Sequence, residues 1–146
     1  MSFQVYYERM PQELATYFNL PNTMISVSTP EEQNRNIVLN IQLSLKRRYS
    51  YHQMRILDLS EEVNDIVYSF LGLSIEINFM VTYPEAFPYT APTWRLNSCV
   101  SNAVSSEKLN KYIEDCVEIH NKKSKQDWSP AFKIHLDLLN LYCLII

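Results

Sequence analysis

Glycine is nearly absent from this chain: Gly72 is the only one in 146 residues. Phosphate-cradling loops, dinucleotide fingerprints and nucleophile elbows all need backbone conformations that glycine adopts cheaply, so those enzyme classes lose their usual signature. Cysteine is scarce as well. Cys99, Cys116 and Cys143 are odd in number and show no paired spacing, which argues against a disulfide framework and for a reducing compartment. Charge is modest, with 13 basic and 16 acidic residues and a formal net charge of −3. Neither a nucleic acid nor a membrane surface is therefore expected as the main partner. The longest apolar stretch, near Leu136–Ile146, falls short of the ~20 residues a spanning helix needs. Met1–Met10 is polar and aromatic rather than charged and then apolar, so no secretory leader is expected. These readings together predict a soluble protein of the cytoplasm or nucleocytoplasm.

What is present suits one globular domain spanning residues 1–146. Hydrophobic residues make up 47% of the chain, with ten tyrosines among them, enough to build a sizeable core rather than a disordered segment. Ser2–Phe18 reads as helical, capped at Ser2 and divided at Pro11, with Asn19–Asn22 a break. Met24–Thr29 is a short strand candidate and Pro30–Asn36 a hairpin connection. In Ile37–Lys46, Leu39, Ile41, Leu43 and Leu45 alternate with Asn40, Gln42, Ser44 and Lys46, the two-residue period of a half-buried strand. Arg47–Arg48 and the stretch Tyr49–His52 end that strand. Met54–Leu59 is ambiguous, Ser60–Asp65 a polar loop and Ile66–Leu71 a strand start. Leu73, Ile75, Ile77, Phe79 and Val81 repeat the alternation against Ser74, Glu76, Asn78 and Thr82. Two strands with one polar face each predict an antiparallel sheet covered on one side. Thr93–Leu96 is a further short strand.

The period then changes. Leu109, Tyr112, Ile113, Cys116, Val117 and His120 form a helical stripe within Ser105–Lys123, with Ser106 a candidate cap. Ser129–Pro130, a capping serine followed by proline, predicts a last, well-buried helix through Leu144. A helix, a meander of about four strands and two C-terminal helices on one face make an α+β domain.

Two segments carry a family resemblance. Within Tyr83-Pro84-Glu85-Ala86-Phe87-Pro88-Tyr89-Thr90-Ala91-Pro92-Thr93-Trp94-Arg95-Leu96, Phe87–Pro92 resembles the aromatic, proline-rich turn after the third strand of ubiquitin-conjugating enzymes and their RWD relatives. Asp127-Trp128-Ser129-Pro130-Ala131-Phe132-Lys133-Ile134 resembles the Trp-Ser-Pro-Ala segment that opens the helix after their active site. The resemblance implies the UBC/RWD-like fold over nearly the whole chain. It makes Tyr83, Pro84, Phe87, Pro88, Pro92, Trp94, Trp128, Ser129 and Pro130 the fold motifs and possible partner contacts. It also implies protein partners, ubiquitin or components of its pathway among them.

The chemistry departs from that pattern. The family's His-Pro-Asn motif, whose asparagine steadies an oxyanion, occurs nowhere here. Asp115-Cys116-Val117-Glu118-Ile119 resembles the family's Cys-Leu-Asp-Ile and would make Cys116 the thioester cysteine, with Asn110 or Asn121 as a substitute asparagine. Periodicity instead sets Cys116 on the apolar stripe, where cysteine acts as a small hydrophobe, and neighbouring Glu114, Asp115 and Glu118 would raise its pKa. Cys99, in polar surroundings, is expected to be exposed, and Cys143 to lie in the core. His52, His120 and His135 lack ligand spacing; Cys116 and His120, four apart, make half a metal site at most, so no metal or cofactor is expected. Lys46–Arg48 with Tyr49, Tyr51 and His52 has the mix that binds single-stranded nucleic acid but reads more simply as a solvated strand end. The expected function is a non-catalytic, protein-binding member of the family. The alternatives are a transferase working through Cys116 and an assembly protein that kept only the fold.

Overall fold

The two long alternating segments pair with each other, and the other strands build outward from them. The computed structural model describes residues 3–20, 22–47, 73–101 and 106–145. Along the chain these form α1 (Phe3–Tyr17), β1 (Thr23–Val27), β2 (Glu31–Gln33), β3 (Asn36–Arg47), β4 (Leu73–Tyr83), β5 (Thr93–Ser101), α2 (Ser106–Asp127) and α3 (Ile134–Ile145). The sheet is antiparallel, in the order β1-β3-β4-β5, with β2 also pairing with β3. Expectations for Arg48, Tyr49–His52, Met54–Leu59, Ser60–Asp65 and Ile66–Leu71 lie outside the described residues.

Register explains which face is buried. Leu39, Ile41, Leu43 and Leu45 stand opposite Val81, Phe79, Ile77 and Ile75, and every one of these eight is almost fully buried. They share one apolar cluster with Tyr7, Met10 and Leu14 of α1, Leu109, Ile113 and Val117 of α2, and Leu138 and Leu141 of α3. The three described helices therefore cover the same face. The opposite face carries exposed Ser26 and Asn40 and half-buried Gln42, Ser44, Glu76 and Asn78, which keep their polar groups hydrated. Among the described residues no helix is long and apolar enough to cross a membrane.

Several local expectations change. Pro11 does not divide α1, which runs unbroken through it. Tyr7, Met10, Leu14 and Phe18 lie on one buried stripe spanning the proline, and that burial offsets the ~3 kcal/mol that an interior proline costs. The polar connection before β3 contains a strand of its own, β2, closed by a two-residue turn. Asn34 and Arg35 both have positive φ, 50° and 67°, as the primed hairpin turns require. In a chain with one glycine, an arginine takes a position that costs a side-chain-bearing residue ~1–2 kcal/mol.

The fifth strand is longer than expected. Ser98 pairs with Asn78 but Leu96 with Phe79, so Asn97 is the extra residue of a β-bulge. Its amide reaches the Asn40 side chain at 3.3 Å. The bulge lets Trp94 and Leu96 point inward before it and Cys99 after it. At the C-terminal end, Ser129–Pro130 does not open the last helix. Phe132 N–H bonds the Ser129 carbonyl at 2.9 Å, closing a separate turn, and α3 begins at Ile134.

One-sided coverage has a direct test. Leu43→Ala should cost about 2–5 kcal/mol in urea unfolding, whereas Ser44→Ala, one residue away on the open face, should stay within about 0.5 kcal/mol. Equal costs would mean that both faces are packed.

Candidate functional site

The proline-rich turn and the Trp128 segment meet in space. Proline fixes φ and removes donors, so the chain leaves the sheet after Tyr83. Backbone bonds of 2.9 Å from Phe87 N–H to the Pro84 carbonyl and from Tyr89 N–H to the Ala86 carbonyl then wind it into a compact turn, which includes a cis Phe87–Pro88 peptide bond. Phe87 is driven into the core, with its ring centroid 4.8 Å from that of Tyr83 and 6.0 Å from that of Trp128. The Trp128 indole N–H donates to the Pro88 carbonyl at 2.7 Å, and Trp128 in turn lies 5.5 Å from Phe132. Pro84 and Pro88 are half-buried and Pro92 is buried, while Ser129, Pro130 and the ring of Tyr89, 79% accessible, face solvent.

Behind this clasp is a buried polar network with no counterpart in the sequence reading. Asp137 lies in the first turn of α3, the helix end that favours a carboxylate, yet it is buried. The Trp94 indole N–H donates to its Oδ2 at 2.8 Å. His120 Nε2 is 2.9 Å from its Oδ1, and since an ionised carboxylate only accepts, the imidazole donates there. Asn121, the next residue on α2, clamps the sheet edge: Trp94 N–H donates to its Oδ1 and its Nδ2 to the Trp94 carbonyl, both at 2.9 Å. The single acidic side chain within the apolar last helix was the available signal. Its partners lie 43 and 17 positions away and only the fold brings them together.

This network is not a nucleophile-activating relay. Ser124 Oγ lies 3.4 Å from His120 Nε2, the same nitrogen that faces Asp137. A serine triad needs its nucleophile and its acid on opposite imidazole nitrogens.

The cysteines are arranged differently from expectation. Cys99, expected exposed, is buried behind the bulge, and burial pushes its thiol up to about 12. Cys143, expected in the core, is exposed. Cys116 is buried, as the helical stripe implies. Its Sγ reaches the Leu144 carbonyl at 3.5 Å, and one turn earlier Tyr112 donates its hydroxyl to the Ile145 carbonyl at 2.8 Å. Two α2 side chains thus satisfy carbonyls at the end of α3 that lack helical partners. Burial raises the Cys116 pKa, a side-chain hydrogen bond shared with Tyr112 lowers it, and the charge of Asp115 raises it. A reactive thiol needs the opposite environment. The proposed substitute asparagines are engaged, Asn121 with Trp94 and Asn110 with the Cys99 carbonyl at 3.5 Å. Among the described residues no group of three or more His, Cys, Asp or Glu side chains is placed to hold a metal ion.

Network and clasp together border a cavity of about 360 Å³ between the ends of α2 and α3, lined by His120, Ser124, Asp127, Trp128, Phe132 and Asp137 among others. No known family model matches the chain, and comparisons with curated proteins and with solved structures also find no match.

Removing the carboxylate should be costly. Asp137→Ala strands the Trp94 and His120 donors and should lower stability by about 3 kcal/mol or more, read as a shifted urea midpoint. A cost under about 1 kcal/mol would contradict the buried network. The Cys99 thiol has its own signature. Between its ordinary value of 9.0 and about 12, only the unfolded chain loses the proton, so stability should fall as pH rises through that window. Cys99→Val should remove that part of the alkaline decline, and an unchanged slope would contradict it.

Proposed function

We propose that this chain is a non-catalytic relative of the ubiquitin-conjugating enzymes that works as a protein-binding module. The observation that carries the reading is the 2.7 Å bond from Trp128 to the Pro88 carbonyl. It joins the two segments on which the family resemblance rests, forty positions apart. The α+β layout around them, with an N-terminal helix, an antiparallel sheet and two C-terminal helices, has the element order that the resemblance implies. The absent His-Pro-Asn motif, the buried Cys116 thiol and the engaged Asn110 and Asn121 support binding rather than transfer. The contact surface in this reading is the rim of the clasp, where exposed Tyr89 stands beside Pro88 and exposed Pro130 and Ala131 follow Trp128. Aromatic and proline side chains of this kind offer contact area at low entropic cost.

Incubating the protein with ubiquitin-activating enzyme, ATP and ubiquitin should give no thiol-sensitive adduct on a non-reducing gel. An adduct lost in Cys116→Ser would establish the transferase instead. Titrating ubiquitin into isotope-labelled protein should shift the amides of Tyr89 and Ala131. A stable oligomer in solution with those amides already buried would favour an assembly protein.

A further inference from the structure

We propose that the cavity between the ends of α2 and α3 binds a small organic cation, an alkylammonium or guanidinium group. This goes beyond the protein-binding reading and does not depend on it. Three features of the lining favour positive charge. Asp137 brings a buried carboxylate whose two oxygens each hold one hydrogen bond, to Trp94 and to His120, leaving acceptor capacity on both. Asp127, exposed at the mouth, is the last residue of α2. There the helix dipole presents its negative end, which disfavours a carboxylate and favours a cation. Trp128 and Phe132, with centroids 5.5 Å apart, provide two aromatic surfaces on which a cation is attracted by the ring quadrupoles. The bond from Trp128 to the Pro88 carbonyl fixes that indole in place, so one wall is preorganised before a ligand arrives.

Two other groups border the cavity. Lys123 also lines it, but its side chain is exposed and its flexible stem can carry the ammonium into water. His120 already directs its Nε2–H to Asp137. The volume of about 360 Å³ lies at the lower end of the range for small-ligand sites and accommodates a choline-sized or lysine-sized group.

The test is titration of isotope-labelled protein with choline, its neutral carbon analogue 3,3-dimethylbutanol, n-butylammonium, and lysine capped at both ends. The indole N–H signals of Trp128 and Trp94 serve as readouts. Choline and n-butylammonium should shift both signals saturably at millimolar concentration, about tenfold tighter than dimethylbutanol. Asp127→Asn and Phe132→Leu should each weaken choline binding, and Lys123→Gln should strengthen it. Capped lysine binding as well as n-butylammonium would identify a basic side chain as the natural source. Binding of the free amine alone would identify a small molecule. Equal binding of dimethylbutanol, weaker binding after Lys123→Gln, or no saturable shift with any cation would overturn the proposal.

Discussion

A single carboxylate, Asp137, sits where three layers of the molecule meet. It accepts one bond from Trp94 on the edge strand β5 and one from His120 on α2, while itself belonging to α3. Burying a charge is costly unless every lone pair that needs a partner finds one, so these three elements are constrained to one relative placement. Asn121 adds the same constraint in neutral form by bonding both backbone groups of Trp94. An apolar interface alone would tolerate sliding of α2 along β5. Directional bonds of 2.8–2.9 Å do not, and polar networks of this kind select one packing among several of similar area.

That placement determines the rest of the C-terminal half. With α2 set against β5, Tyr112 and Cys116 reach the terminal carbonyls of α3. With α3 set against α2, the preceding turn holds Phe132 beside Trp128, and Trp128 beside Phe87 and Pro88. The proline-rich turn is thereby packed from below by Tyr83 and Tyr7 and from the side by Trp128. Its outer rim remains open to solvent.

The layers were legible in the sequence where burial follows a simple period. Leu39–Leu45 alternates strictly, Ile75–Val81 does so except at Met80, and both form the sheet centre, while the stripe from Leu109 to Val117 packs as a helix face. Legibility failed where the period is broken or where a partner is distant. Strict alternation from Arg95 would place Cys99 on the solvent face with it, but the bulge at Asn97 shifts the phase by one and turns Cys99 inward. Cys143 sits in a largely apolar helix, where a cysteine reads as core although exposed Asn140, three residues earlier, marks the solvent side. Asp137 stands out in that same helix, yet its role depends on Trp94 and His120, which no local pattern connects to it. Pro11 shows the reverse case, in which a strong local signal yields to a buried stripe on both sides of it.

The central claim is that Cys116 is a structural thiol, buried and directed at the end of α3. Mass-resolved alkylation of the native protein with iodoacetamide tests this most directly. The account predicts rapid modification at Cys143 alone, with Cys99 and Cys116 reacting only once the protein is unfolded. Rapid native-state modification of Cys116 would contradict it.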